Sequence, residues 1–289
     1  GGWYETKNDP LESAAATSKW LGEPPDQLTL ANAASAQMAV LRRSLLTGLA
    51  ASAQRNIFRG ATTIRLFEID RTFNVDSGKT PGVWTLSGIA GGAIRRANWQ
   101  GDAAISFYHV KGELEDLLEG LGVRNIEFTP AEQQPLAAGT GAHIKVGGTL
   151  IGYVGELDAK QIKIDRQAFK LFVFDINLAA LEKFAFPTPA YQPMNKLPPV
   201  TRDLAIVVKS SEPYAAVASI IHETGGAALE KLELVDEYTG KPVPAGHRSL
   251  AMRLTFRDAH RTLATPEVTE RVQAIVEALE KRLSATLRA

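Results

Sequence analysis

Cysteine is absent from all 289 residues, which excludes a disulfide framework and any thiolate metal site. The absence also fits a reducing compartment, so a cytoplasmic location is the expectation. Histidine is scarce: the five present fall at no metal-ligand spacing, and no metal site is expected. No apolar run approaches the ~20 residues that a bilayer-spanning helix needs. An excess of one charge is missing too. Thirty-two basic residues balance 32 acidic ones, and this neutrality at first speaks against a nucleic-acid partner. There is no initiator methionine and no charged-then-apolar leader; Gly1-Gly2 reads as an added or internal start of something longer. What remains, 45% hydrophobic and 22% charged, is ordinary globular material long enough for two domains.

Charge is unevenly spread. Between residues 241 and 261, Lys241, Arg248, Arg253, Arg257 and Arg261 face one acid, Asp258, with His247 and His260 in the same stretch. A local basic surface matters more to an RNA backbone than the global sum, although a solvated basic strand would carry the same residues. Proline is uneven as well. Residues 186–193 (FPTPAYQP), followed by Pro198-Pro199, read as an extended linker. It separates a region of residues 1–190 from a tail of residues 196–289.

In the first region Ser35 is expected to cap a helix reaching about residue 56, with Met38, Leu41, Leu45, Leu46 and Leu49 on one buried face. Strands are expected at 62–70 (TTIRLFEID), 83–90 (VWTLSGIA) and 170–176 (KLFVFDI). A helix at about 110–121 shows Val110, Leu114, Leu117, Leu118 and Leu121 on one side, with Gly122 as its stop. A Gly147-Gly148 turn between 143–146 and 149–154 signals a hairpin. Adjacent strands with few helices point to an antiparallel α+β sheet.

The tail reads as β-α-β-β-α-β: strand 202–208, a helix begun by Pro213, strands 232–238 and 249–257, a helix capped by Thr265 with Pro266 first, and a short strand 285–288. That order is the ferredoxin-like fold, two helices on one face of a four-stranded sheet. Alternation sends Leu250, Met252, Leu254 and Phe256 inward with Leu204, Ile206 and Val208. Ser249, Ala251, Arg253, Thr255, Arg257, Asp203, Ala205 and Val207 then face outward. Small residues beside Arg253 and Arg257 make a flat basic platform suited to a phosphate backbone and splayed bases. Arg248 and Lys241 are further candidate contacts. Tyr238 offers a ring for stacking or an edge to the core, and the sequence leaves both open.

PVTRDLAIVV at 199–208, VDEYTG at 235–240, RSLA at 248–251, Thr262-Leu263 and TLR at 286–288 together resemble the C-terminal anticodon-binding domain of phenylalanyl-tRNA synthetase beta subunits. Upstream, 28–48 (LTLANAASAQMAVLRRSLLTG), 65–73 (RLFEIDRTF), 107–112 (FYHVKG) and 151–155 (IGYVG) resemble the class II synthetase-like core module of the same family. The likeness covers nearly the whole chain. Departures are Ala33-Ala34 where the family usually has proline and leucine, Arg43 and Thr47 where it has threonine and proline, and Glu237 where valine is usual.

The resemblance implies a tRNA(Phe) partner and an alpha subunit holding ATP, Mg²⁺ and phenylalanine in a two-alpha, two-beta tetramer. It implies no catalytic residue and no cofactor in this chain. The segment comparable to the fold's nucleotide-binding strand and helix, 172–182 (FVFDINLAALE), has neither glycine nor arginine. Arg65 and Glu68 read as a surface ion pair. Residues 1–190 are therefore expected to be a silent scaffold that docks the alpha subunit through the apolar helix over 38–49. A pseudo-synthetase paralogue that only binds protein would show the same features, and RNA binding by the tail separates the two.

Overall fold

Strands with alternating or wholly apolar faces dominate the first half of the chain, and helices close over them. The computed structural model describes residues 2–22, 28–75, 81–94, 104–162, 169–188 and 195–288. The chain divides into two units, Gly1–Pro189 and Ala190–Ala289. Of the proline-rich segment, residues 189–193 lie outside the described residues.

The first unit runs β1 (Tyr4–Glu5), β2 (Leu11–Glu12), α1 (Ala14–Leu21), β3 (Val40–Leu41), α2 (Leu46–Phe58), β4 (Thr63–Phe73), β5 (Gly82–Gly92) and α3 (Phe107–Gly120). It continues through β6 (Ile126–Ala131), β7 (Gly141–Val146), β8 (Thr149–Glu156), β9 (Leu171–Asn177) and α4 (Leu178–Leu181). Among the described residues, seven strands form one sheet in the order β1-β4-β5-β9-β8-β7-β6. All pairs are antiparallel except β1 on β4. The β7–β8 hairpin turns on Gly147 and Gly148, both with positive φ as a two-residue hairpin turn requires.

Both faces of this sheet are covered at its centre, which is why β5 and β9 are buried along almost their whole length. On one face Leu46, Leu49, Ala53 and Ile57 of α2 pack on Ile64, Leu66, Ile89 and Val173. On the other, Val110, Leu114 and Leu118 of α3 and Leu181 of α4 pack on Leu86, Phe172, Phe174 and Ile176.

The helix expected from Ser35 is shorter than the spacing suggests. Ala36–Met38 makes a single 3-10 turn, and Ser35 gives no side-chain cap. Val40–Leu41 pairs with Leu11–Glu12, so the backbone is extended where a helix was predicted, and α2 starts at Leu46. A long-range ladder has overridden a local 3–4 repeat. Met38 is exposed, while Leu45, Leu46 and Leu49 belong to the unit's own core. Those leucines are therefore not available as a docking face.

The second unit is β10 (Val200–Lys209), α5 (Tyr214–Gly225), β11 (Leu229–Tyr238), β12 (His247–Phe256), α6 (Thr265–Leu283) and β13 (Thr286–Leu287). Its strand order, β11-β12-β10-β13, is antiparallel throughout and has the ferredoxin-like arrangement. Leu204, Ile206, Val208, Leu250, Met252, Leu254 and Phe256 meet Val217 and Ile221 of α5 and Val268, Ile275 and Leu279 of α6. The period-2 and period-3.6 readings agree with this core. Thr265 is the first residue of α6 rather than its cap; Ala264 holds the cap position with no side-chain bond, and Pro266 lies in the first turn.

Candidate nucleic-acid interface

On the second unit's open face, strand register decides which side chains meet. Asp203 of β10 stands directly opposite Arg253 of β12, which stands opposite Glu233 of β11. The Arg253 guanidinium forks onto Asp203, Nε to Oδ1 at 2.8 Å and the second nitrogen to Oδ2 at 3.1 Å. That hydrogen bond, with the positive charge behind it, holds the Asp203 carboxyl below its usual range. Arg257 lies 2.9 Å from the Glu230 carboxylate. Arg248 donates to Glu237 at 3.0 Å and to the Glu212 carbonyl at 2.6 Å. Arg261 grips Glu267, at 2.6 and 2.8 Å. The basic excess between residues 241 and 261 is thus matched by acids from elsewhere in the unit. The platform is closer to neutral than the linear count implies.

A different group stands out in space. Arg288, just beyond β13, is anchored by its backbone N–H to the Ala205 carbonyl at 2.9 Å. Its guanidinium crosses the sheet, donates to Ser249 Oγ at 3.2 Å and stacks over the Tyr238 ring at 5.1 Å. Tyr238 is fixed in turn by its hydroxyl, which donates to the Lys241 carbonyl at 2.9 Å. Among the described residues Arg288 has no carboxylate partner. Ring and guanidinium both remain accessible, at the edge of a patch of small residues that includes Ala205 and Ala251. Ser249 itself is buried beneath the guanidinium, so what the cluster offers is a half-exposed aromatic ring that can stack on a base and an uncompensated guanidinium that can donate to a base edge or phosphate.

Of the five residues singled out from the sequence, the structure brings Tyr238 and Lys241 to this cluster, Lys241 through its carbonyl. Arg248, Arg253 and Arg257 are each held in an ion pair. Ser249 and Arg288 were missed as site residues. Alternation already turned Ser249 outward. Arg288 could be placed only once β13 was known to lie beside β10.

Polar chemistry in the first unit is turned inward. Arg65 and Glu68 do not pair with each other, because they are three apart on β4 and project to opposite faces. Arg65 pairs with Glu113 of α3. Glu68 is fully buried on the α2 face, where Arg42 reaches it at 2.8 Å and Asp70 at 2.6 Å. Asn8 adds a backbone bond and a side-chain bond to Glu68 at 3.1 and 2.6 Å. Partial burial would raise Asp70, but hydrogen bonds from Lys7, the Arg71 backbone and Arg42 outweigh it and hold its carboxyl at about 2.

Register extends this into a transverse polar row: Glu68, Ser87, Asp175, Tyr153, His143 and Thr129 are successive cross-strand neighbours. Burial pushes Asp175 up to about 6, against one compensating bond from Ser87 Oγ at 2.8 Å. A triphosphate does not fit these groups. The Arg42 guanidinium is 3% exposed between two carboxylates, and the rest of the row is neutral or acidic apart from His143. Segment 172–182 is β9 leading into α4, a single turn. No three His, Asp or Glu side chains among the described residues converge as a metal site would require.

Comparison with known proteins places names beside this geometry. Residues 1–178 match the family described as phenylalanyl tRNA synthetase beta chain CLM domain, and residues 195–288 the ferredoxin-fold anticodon binding domain. The phenylalanine–tRNA ligase beta subunit of Moorella thermoacetica is 36% identical over 87% of this chain and 32% of its own length. That of Dechloromonas aromatica is 34% identical over 91% of this chain and 33% of its own. The Bacillus subtilis protein of the same name is 31% identical over 99% of the chain and 35% of its own. The chain spans about a third of the length of the curated relatives it matches.

Proposed function

The chain belongs to the phenylalanyl-tRNA synthetase beta-chain family, and from that membership we propose that its second unit grips the anticodon region of tRNA(Phe). The first unit is a catalytically silent, class II synthetase-like scaffold. It docks an alpha subunit that carries ATP, Mg²⁺ and phenylalanine, in a cytoplasmic two-alpha, two-beta assembly. One observation carries the RNA half of this reading: the Tyr238–Arg288–Ser249 cluster on the sheet face that the helices leave open. The inward-turned row of the first unit supports the scaffold half, since its only buried guanidinium among the described residues is neutralised by Glu68 and Asp70.

The RNA half is tested with an oligonucleotide of the tRNA(Phe) anticodon stem and loop, titrated against the 289-residue chain by fluorescence anisotropy. The expected result is saturable binding that intact tRNA(Phe) competes away and that Tyr238→Ala weakens. Equal binding of a stem capped by an unrelated loop would contradict anticodon recognition. No binding at all would leave a paralogue that contacts only protein.

A further inference from the structure

The α3 face of the first unit carries an apolar furrow that neither the anticodon site nor the polar row uses. One hollow, of about 460 Å³, lies between β4, β5 and α3, with Ile69 and Leu117 on its walls. A second, of about 430 Å³, lies beside Trp84 and Phe186. Leu86 and Trp84 share one face of β5, and Leu117 and Leu121 are about one turn apart at the end of α3, so the hollows line up. Leu117 was expected to face inward. It is instead 40% exposed, as is Ile69, while Trp84 is 47% and Phe186 78% exposed. That much apolar surface gathered on one face is more than scattered exposure explains.

Among the described residues the charged side chains lining the two hollows are acidic, and one cation borders them: the Arg71 guanidinium stacks over the Trp84 ring, 5.4 Å from its centroid. Asp116 borders the first hollow and Glu182 the second, and neither has a cationic partner among the described residues. Glu113, the remaining acid, is already held by Arg65 and by the Trp3 indole N–H at 2.6 Å. Among the described residues no lysine or arginine lines either hollow. A long apolar floor with unpaired carboxylates on its wall is complementary to an amphipathic helix with a basic flank.

We propose that this furrow seats a helix of the alpha subunit, with apolar side chains entering the two hollows and lysine or arginine meeting Asp116 and Glu182. The assignment rests on the alpha-docking reading and adds to it the surface used and the chemistry of the partner segment. Leu117 and Ile69 contribute to the furrow walls and not to the buried core, so a charge there leaves the fold intact.

The test titrates purified alpha subunit against the full chain and its Leu117→Glu, Ile69→Glu and Asp116→Lys variants, with circular dichroism melting of each as the folding control. Expected is binding by the unchanged chain, a loss of at least tenfold for Leu117→Glu and Ile69→Glu, and a smaller, salt-sensitive loss for Asp116→Lys. Binding by the unchanged chain with all three variants equal to it would overturn the furrow while leaving the docking reading standing. No binding by the unchanged chain would overturn the docking reading, and the furrow assignment with it. Loss of self-association by light scattering, with alpha binding unaffected, would assign the furrow to a second copy and overturn the proposal.

Discussion

Arg42 and Arg288 show how differently the two units use the same side chain. Arg42 lies within the first unit beside Glu68 and Asp70, almost without solvent contact, where its charge organises strands. Arg288 lies across an open sheet face, stacked on Tyr238, with no carboxylate partner among the described residues. Burial with compensation makes a guanidinium structural. Exposure without compensation leaves it free for a ligand. Between these extremes, Arg253 is exposed but paired with Asp203, so its charge is screened before any ligand arrives.

The contrast can be broken most forcefully at Arg42. Removing one partner of a buried ion pair strands the other in the interior, so Arg42→Ala should destabilise the first unit by about 3–5 kcal/mol. Urea denaturation that shows less than ~1 kcal/mol, the range of exposed pairs, would place that network at the surface instead.

Asp175 should respond in the opposite direction. Its carboxyl is raised to about 6 in the folded chain from an ordinary 3.8, so the folded state holds a proton that the unfolded state releases. The associated stability is complete below pH 3.8 and is lost as pH rises through 6. Asp175→Asn, which keeps an acceptor for Ser87, should therefore stabilise the protein at pH 7 by on the order of 2 kcal/mol, an advantage that fades toward pH 4. A constant difference across that window would remove the titration.

Smaller effects are expected on the second unit. Tyr238→Ala should weaken tRNA(Phe) binding by about 1–3 kcal/mol, the range for one stacked base, with the melting temperature nearly unchanged. Smallest of all, Asp203→Ala should leave stability unaltered. It should steepen the salt dependence of tRNA binding slightly, because Arg253 is released; a flatter dependence would show that Asp203 positions Arg253 for RNA.

How much of this was legible in the sequence depended on the range of each interaction. The tail's strands and helices were readable because their apolar periods, as in Leu250, Met252, Leu254 and Phe256, are local and agree with its core. The helix placed over 35–56 forms only from Leu46 onward, because pairing of Val40–Leu41 with Leu11–Glu12 is decided nearly thirty residues away. The pairing of the basic residues was illegible for the same reason. Counting charge along residues 241–261 could not see Asp203, fifty residues before Arg253, nor the sheet order that carries Arg288 to Tyr238. Tyr238 could be singled out because aromatic chemistry is visible in one residue, whereas charge compensation requires a partner.

The account turns most directly on the salt dependence of tRNA(Phe) binding, measured side by side for the unchanged chain, Arg288→Ala and Arg253→Ala. An unpaired guanidinium that meets a phosphate should take about one unit from the slope of log affinity against log salt when it is removed, and a paired one much less. The expected result is a flatter slope for Arg288→Ala and a nearly unchanged one for Arg253→Ala. The reverse order, or no change for either, would contradict the assignment of the open cluster to RNA.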